Sequence, residues 1–137
     1  MDNIQETFSS FLNADEIIEP SSPNYYKETQ VWSAHKNLHP QLVVRPKTIE
    51  SLSSILKTLN ETDIDFAVRG GGCGSTSTHG VLISMSAFDS FEFNQEDETV
   101  TVGAGQLWRD VDWKVEEFAP GYSGKSKTPK QITKTSD

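Results

Sequence analysis

Four glycines fall within the five positions Gly70-Gly71-Gly72-Cys73-Gly74, with Phe66-Ala67-Val68 before them and Val81-Leu82-Ile83 after. A stretch of this kind has few side chains in the way and leaves backbone N–H groups free to converge. Glycine reaches positive φ and lets a ligand approach the main chain, so a glycine turn at the end of an apolar strand can form an anion-binding concavity. The candidate ligand-binding set is therefore Arg69, Gly70, Gly71, Gly72, Cys73, Gly74 and Ser75. The alternative is a plain connection between two strands, since Gly/Ser clusters between periodic segments are ordinary loops. The bare pattern does not separate these two readings, and the rest of the chain has to.

Other chemistries are weaker. Gly72-Cys73-Gly74 continues as Ser75-Thr76-Ser77, so the third glycine of a dinucleotide fingerprint is missing. Ala119-Pro120-Gly121-Tyr122-Ser123-Gly124-Lys125-Ser126 approaches a phosphate loop, with alanine for the first glycine. That loop needs a strand before it and a helix after it, whereas here a helix pattern precedes and a polar tail follows. Cys73 in a turn of free N–H groups would have a lowered thiol pKa, but nothing orients His79 against it as a base, and a small side chain that fits is the simpler account. His35 and His39 share a helical spacing, yet Pro40 follows at once and no third ligand is in sight, so no metal site is assigned. No catalytic residue is assigned either.

Composition narrows the classes further. The chain has 137 residues, a net charge of -8, 34% hydrophobic and 23% charged residues. This suits one modest domain with a lean core. An acidic chain argues against a nucleic-acid surface, and no run approaches the length of a membrane span. A single cysteine excludes an internal disulfide and a cysteine-rich zinc site. The first residues, Met1-Asp2-Asn3-Ile4-Gln5-Glu6, lack an apolar signal region, so a cytoplasmic location is the expectation.

The elements that must position the turn can be read in order. Ile4, Phe8, Phe11 and Leu12 predict a short amphipathic helix within residues 2–18, and Glu19-Pro20-Ser21-Ser22-Pro23 breaks regular structure. Tyr25, Tyr26 and Trp32 are expected to pack at the domain's edge. Leu42-Val43-Val44 predicts a buried strand, Thr48 an N-cap, and Ile49, Leu52, Ile55, Leu56 and Leu59 one face of the following helix. Asp65-Phe66-Ala67-Val68 is the next strand and feeds the glycine turn. Strand, helix, strand and glycine turn suit a small parallel βαβ unit, in which ligands gather at the carboxyl ends of strands. Val81-Leu82-Ile83-Ser84-Met85 is a third strand. Phe91 and Phe93 alternate with polar residues, and Thr99-Val100-Thr101-Val102 returns as the hairpin partner. Leu107, Trp108, Val111, Val115 and Phe118 mark a second helix ending at Pro120-Gly121. From Ser123 onward only Ile132 is apolar, so a lysine-rich tail is expected to stay outside any core.

Taken together, Pro40 to Tyr122 resembles the first part of the FAD-binding (PCMH-type) domain of the vanillyl-alcohol oxidase and p-cresol methylhydroxylase superfamily. Within it the resemblance is to the berberine-bridge-enzyme-like, oxygen-dependent oxidases, with a fungal flavour. The residues that carry it are Leu42-Val43-Val44-Arg45-Pro46, Phe66-Ala67-Val68-Arg69-Gly70-Gly71-Gly72, Val81-Leu82-Ile83-Ser84-Met85-Ser86, and Thr101-Val102-Gly103-Ala104-Gly105 followed by Trp108. The resemblance implies an α+β fold whose glycine turn wraps the FAD pyrophosphate with backbone N–H groups. It also implies hydride transfer from an alcohol, amine or phenol-derived substrate to FAD, with oxygen as the re-oxidant. Many relatives carry a flavin-linked histidine directly after the glycines; Cys73 stands there, so non-covalent FAD is expected.

After Tyr122 the pattern of the family is no longer read in the sequence, and the expectation is a chain without the family's second half of the FAD domain and its substrate domain. The organisation expected is an N-terminal helix and extended lead-in at 1–39, the first half of an FAD-binding domain at 40–122 and a lysine-rich, disordered tail at 123–137. A truncated chain of this kind would not be catalytic alone, and a small-molecule substrate would bind only with the missing half supplied. The alternative is a non-enzymatic remnant or interaction module of the same fold.

Overall fold

A computed structural model describes residues 4–72, 76–121 and 132–134. The chain divides into two compact units, Met1–Ala87 and Phe88–Asp137. Among the described residues no helix is long and apolar enough to cross a membrane.

The first unit is built on four strands, β1 (Ile17–Ile18), β2 (Leu42–Val44), β3 (Phe66–Arg69) and β4 (Val81–Ser84), in the order β1-β2-β4-β3. The pairs β2–β4 and β3–β4 are parallel, and β1 closes the other edge antiparallel to β2. Strand β4 therefore lies between the two strands expected to form a βαβ unit. Their parallel direction is as expected, but they do not pair with each other. The physical reason is burial. All four residues of β4 are buried, whereas in β3 Phe66 and Val68 remain 47% exposed. The central strand of a parallel sheet is covered on both faces and both edges, which suits Val81-Leu82-Ile83. Strand β3, which ends in Arg69 and leaves Phe66 and Val68 exposed, takes the edge.

Alternate side chains point to opposite faces of a strand. One row across the sheet, Ile18–Val43–Leu82–Ala67, follows from the registers, and its three buried members form a core cluster against which Tyr25 packs. Helix α3 (Ile49–Asn60) links β2 to β3. Its N-cap is Thr48, whose hydroxyl accepts the Ser51 N–H at 3.1 Å. Ile55 and Leu59 are buried on it, while Ile49 and Leu56 of the same apolar face stay exposed.

The lead-in is more structured than expected. Helix α1 (Ile4–Ser9) is short and buries Phe8, Leu12 is buried beyond its end, and the Ser9 and Ser10 hydroxyls donate to carbonyls of the preceding turn. A 3-10 turn, Ala14–Glu16, then leads into β1. Buried Glu16 holds this segment on the sheet: its carboxylate accepts from the N–H groups of Lys47 and Asn13 and from the Asn13 amide, at 2.9–3.1 Å. Its carbonyl accepts the Arg45 N–H at 2.7 Å.

Helix α2 (Tyr25–Thr29) has no counterpart in the sequence reading. Tyr25 packs as expected and donates its hydroxyl to the Pro40 carbonyl at 2.6 Å, and burial pushes its phenol pKa up. Tyr26 and Trp32 differ from expectation. Both are exposed, Trp32 by 88%.

In the second unit β5 (Phe91–Asn94) and β6 (Thr99–Val102) form the expected antiparallel hairpin. Asn94 stabilises its turn by accepting the Glu96 and Asp97 N–H groups. Helix α4 (Trp108–Phe118) packs Val111 against Val100 and Val102, and Phe118 stacks on Phe91 and Phe93. Its Trp108 and Trp113 are exposed. A third strand, β7 (Ile132–Lys134), runs parallel to β6. It lies in the tail expected to remain outside regular structure. Strand pairing draws on backbone N–H and C=O groups, which a polar segment has as fully as an apolar one.

Candidate functional site

Parallel strands β2, β4 and β3 end together, and β3 passes directly into the bend Gly70–Gly72. The described part of the glycine stretch thus sits outside the carboxyl ends of parallel strands, where open sheets of this class bind ligands. Gly72 has φ +74, the left-handed region that a residue with a side chain adopts only with strain. Cys73, Gly74 and Ser75 of the candidate set lie outside the described residues, as does the phosphate-loop look-alike from Tyr122 onward.

Arg69, the first member of the set, turns its side chain away from open solvent. Its Nε and Nη2 donate to the Gln30 carbonyl at 3.4 and 3.3 Å, and its Nη1 lies 3.8 Å from the Glu28 carboxylate. A Cβ on Gly72 would fall 2.7 Å from the Arg69 Cζ and closer still to Nη2. The glycine is therefore required twice, by its φ and by the guanidinium packed against it.

Glu28 is the residue that sequence reasoning missed. Its side chain is 7% exposed and that of Arg69 11%. The Ser84 and Ser86 hydroxyls donate to its two oxygens at 2.5 and 3.1 Å. Arg45 Nε lies 3.9 Å away and itself donates to Ser86 Oγ at 2.8 Å. One carboxylate is thus shared by two guanidiniums and two hydroxyls at the ends of all three parallel strands. Burying a charge is costly unless it is paired and hydrogen-bonded, and this carboxylate is both. Among the described residues no buried side-chain nitrogen or oxygen lacks a hydrogen-bond partner. No local signal marks Glu28, which sits in the polar run Tyr25-Tyr26-Lys27-Glu28.

At the opposite end of β4, Gly80 allows a second close approach. A Cβ there would collide with the Asp65 carbonyl oxygen, which accepts the Val81 N–H at 2.9 Å. The Gly80 carbonyl in turn accepts the Gln41 N–H at 2.9 Å. Among the described residues no group of three or more His, Cys, Asp or Glu could hold a metal ion.

Residues 40–129 match the FAD binding domain family. The chain belongs to it. FAD-dependent monooxygenase macF of Penicillium terrestre is 32% identical over 107 residues, which are 73% of this chain and 21% of that protein. FAD-linked oxidoreductase tazL of Aspergillus terreus is 32% identical over 110 residues, 75% of this chain and 22% of that protein. Among solved structures the fold is similar to Physcomitrella patens BBE-like 1, with a TM-score of 0.72 and 18% identity over 85% of this chain and 26% of that one. It is also similar to 6-hydroxy-D-nicotine oxidase of Arthrobacter nicotinovorans, with a TM-score of 0.67 and 18% identity over 75% and 24% of the two chains. The α+β fold and the FAD-binding family expected from the sequence are thereby shown, and the two FAD-linked relatives named above are fungal. The chain spans about a fifth of the length of these FAD-linked relatives. The family match begins at Pro40, so α2 and Glu28 precede it.

Proposed function

We propose that Arg69 through Ser75 form the pyrophosphate-binding turn of an FAD site, with backbone N–H groups of the turn as the anion ligands. The observation that carries this reading is the place of the turn. It follows an edge strand at the carboxyl end of a parallel sheet, in a chain of the FAD binding domain family, with Gly72 at φ +74. The fit is favourable, because a positive-φ glycine lets a turn present consecutive backbone amides to one side. Bound FAD would supply the hydride-accepting chemistry, and these residues supply its position and local electrostatics.

The activity served is oxidation of an alcohol, amine or phenol-derived substrate, with oxygen as the re-oxidant. Cys73 replaces the histidine through which many relatives attach the flavin, which supports a removable cofactor. The chain spans about a fifth of its FAD-linked relatives, so residues 1–137 by themselves are expected to bind flavin weakly at most and without turnover. The test is calorimetric titration of residues 1–137 with FAD and with pyrophosphate, followed by acid denaturation, mass spectrometry and oxygen-uptake assays with candidate alcohols and amines. Competition between FAD and pyrophosphate, release of all flavin on denaturation and no substrate-dependent oxygen uptake are expected. Absence of binding to either ligand would refute the site, and flavin mass on the Cys73 peptide would refute removable attachment. Steady turnover would refute the non-catalytic reading.

A further inference from the structure

We propose that Glu28 is a positioning residue for the glycine turn, acting through Arg69 rather than by touching a ligand. The proposal rests on the reading of the turn as the pyrophosphate site and adds to it the device that sets the turn's shape. Arg69 ends β3 and immediately precedes the turn, and its guanidinium is gripped on two sides. Nε and Nη2 meet the Gln30 carbonyl, and Nη1 faces the Glu28 carboxylate at 3.8 Å. Gly72 then folds back over the same guanidinium, so closely that a Cβ would reach within 2.7 Å of Cζ. The planar group is thus a floor beneath Gly72. A flexible loop would have no such floor, and its glycines would sample many conformations at an entropic cost to ligand binding.

Glu28 fixes that floor to the sheet. Its oxygens are held by Ser84, which pairs with Arg69 across β3–β4, and by Ser86 two residues on. The strut therefore runs from the turn through Arg69 and Glu28 to the centre of the parallel sheet. A lysine could not replace Arg69, because only a guanidinium presents several donors in a fixed plane to two acceptors at once.

The test compares the full chain with Glu28→Gln, Arg69→Gln and the double variant. Amide hydrogen exchange over residues 66–72 and 52–60 is measured without flavin, and FAD affinity by calorimetry. For Glu28→Gln the exchange of Gly70–Gly72 should speed up while that of Ile55 and Leu59 in α3, which lies away from the carboxylate, is unchanged. FAD affinity should fall about tenfold, within the usual range of coupling between sites. In the Arg69→Gln background the same substitution should add nothing, since the strut is already broken. The proposal is overturned if Glu28→Gln leaves both turn exchange and affinity unchanged. It is also overturned if faster exchange spreads evenly over both segments, or if the two substitutions are additive. Should no protein bind FAD while Glu28→Gln still loosens the turn selectively, the strut stands and the flavin reading falls.

Discussion

Gly72→Ala probes the turn most directly. Two costs are set by the geometry. An alanine at φ +74 pays the left-handed penalty of about 1–2 kcal/mol. Its Cβ would also displace the Arg69 guanidinium, which is the mobile end of a long side chain and would move rather than the backbone. Moving it loosens two hydrogen bonds to Gln30 that are already long, at 3.3 and 3.4 Å, and a Glu28 pair at 3.8 Å. Weak charge-assisted contacts of this kind contribute about 1–2 kcal/mol together. Reduced entropy of the unfolded chain offsets about 0.4–1 kcal/mol, leaving a net loss of about 2–3 kcal/mol. Urea unfolding of the single variant, and of the same change in an Arg69→Ala background, separates the two costs. In that background the loss should shrink to the strain less the entropic offset, about 1 kcal/mol. A loss below about 0.5 kcal/mol, or the same loss in both backgrounds, would refute the reasoning.

Gly80→Ala should be more damaging, because the atom it strikes is the Asp65 backbone carbonyl at the β3–β4 junction and cannot step aside; a loss of about 3 kcal/mol or more is expected by thermal or urea unfolding. Thr48→Ala removes the cap of α3 and should cost about 1 kcal/mol, whereas Thr48→Ser should cost little. Glu16 carries the pH dependence. Burial pushes its pKa up, but hydrogen bonds from Lys47 and Asn13 outweigh it and leave it below its ordinary value of 4.5. A lowered carboxylate stabilises the fold fully above the unfolded-state value and loses that contribution as pH falls through the folded one. Unfolding midpoints should therefore drop on acidification below about pH 4.5, and Glu16→Gln should flatten that part of the profile. A profile unchanged by the substitution would remove Glu16 as the cause.

Much of this was legible in local pattern. Leu42-Val43-Val44 and Val81-Leu82-Ile83 could only be buried strands, Thr48 could be placed as a cap by its type and position, and the phenylalanine alternation in β5 announced a hairpin. The glycine turn after β3 was equally visible, because only glycine supplies the backbone that such a turn requires. What local pattern could not show is which strands are neighbours. Strand order depends on which segment buries both faces, and that placed β4 between β2 and β3 although it follows both in the chain. The partner of Arg69 was hidden for the same reason. Glu28 lies 41 residues away in sequence, within a short helix among polar residues, and becomes a buried, shared carboxylate only when α2 packs across the ends of three strands. Sequence alone determined that the turn could bind an anion. Only the tertiary structure decided what holds it in shape, because pairing a buried charge is a property of the whole sheet rather than of any one stretch.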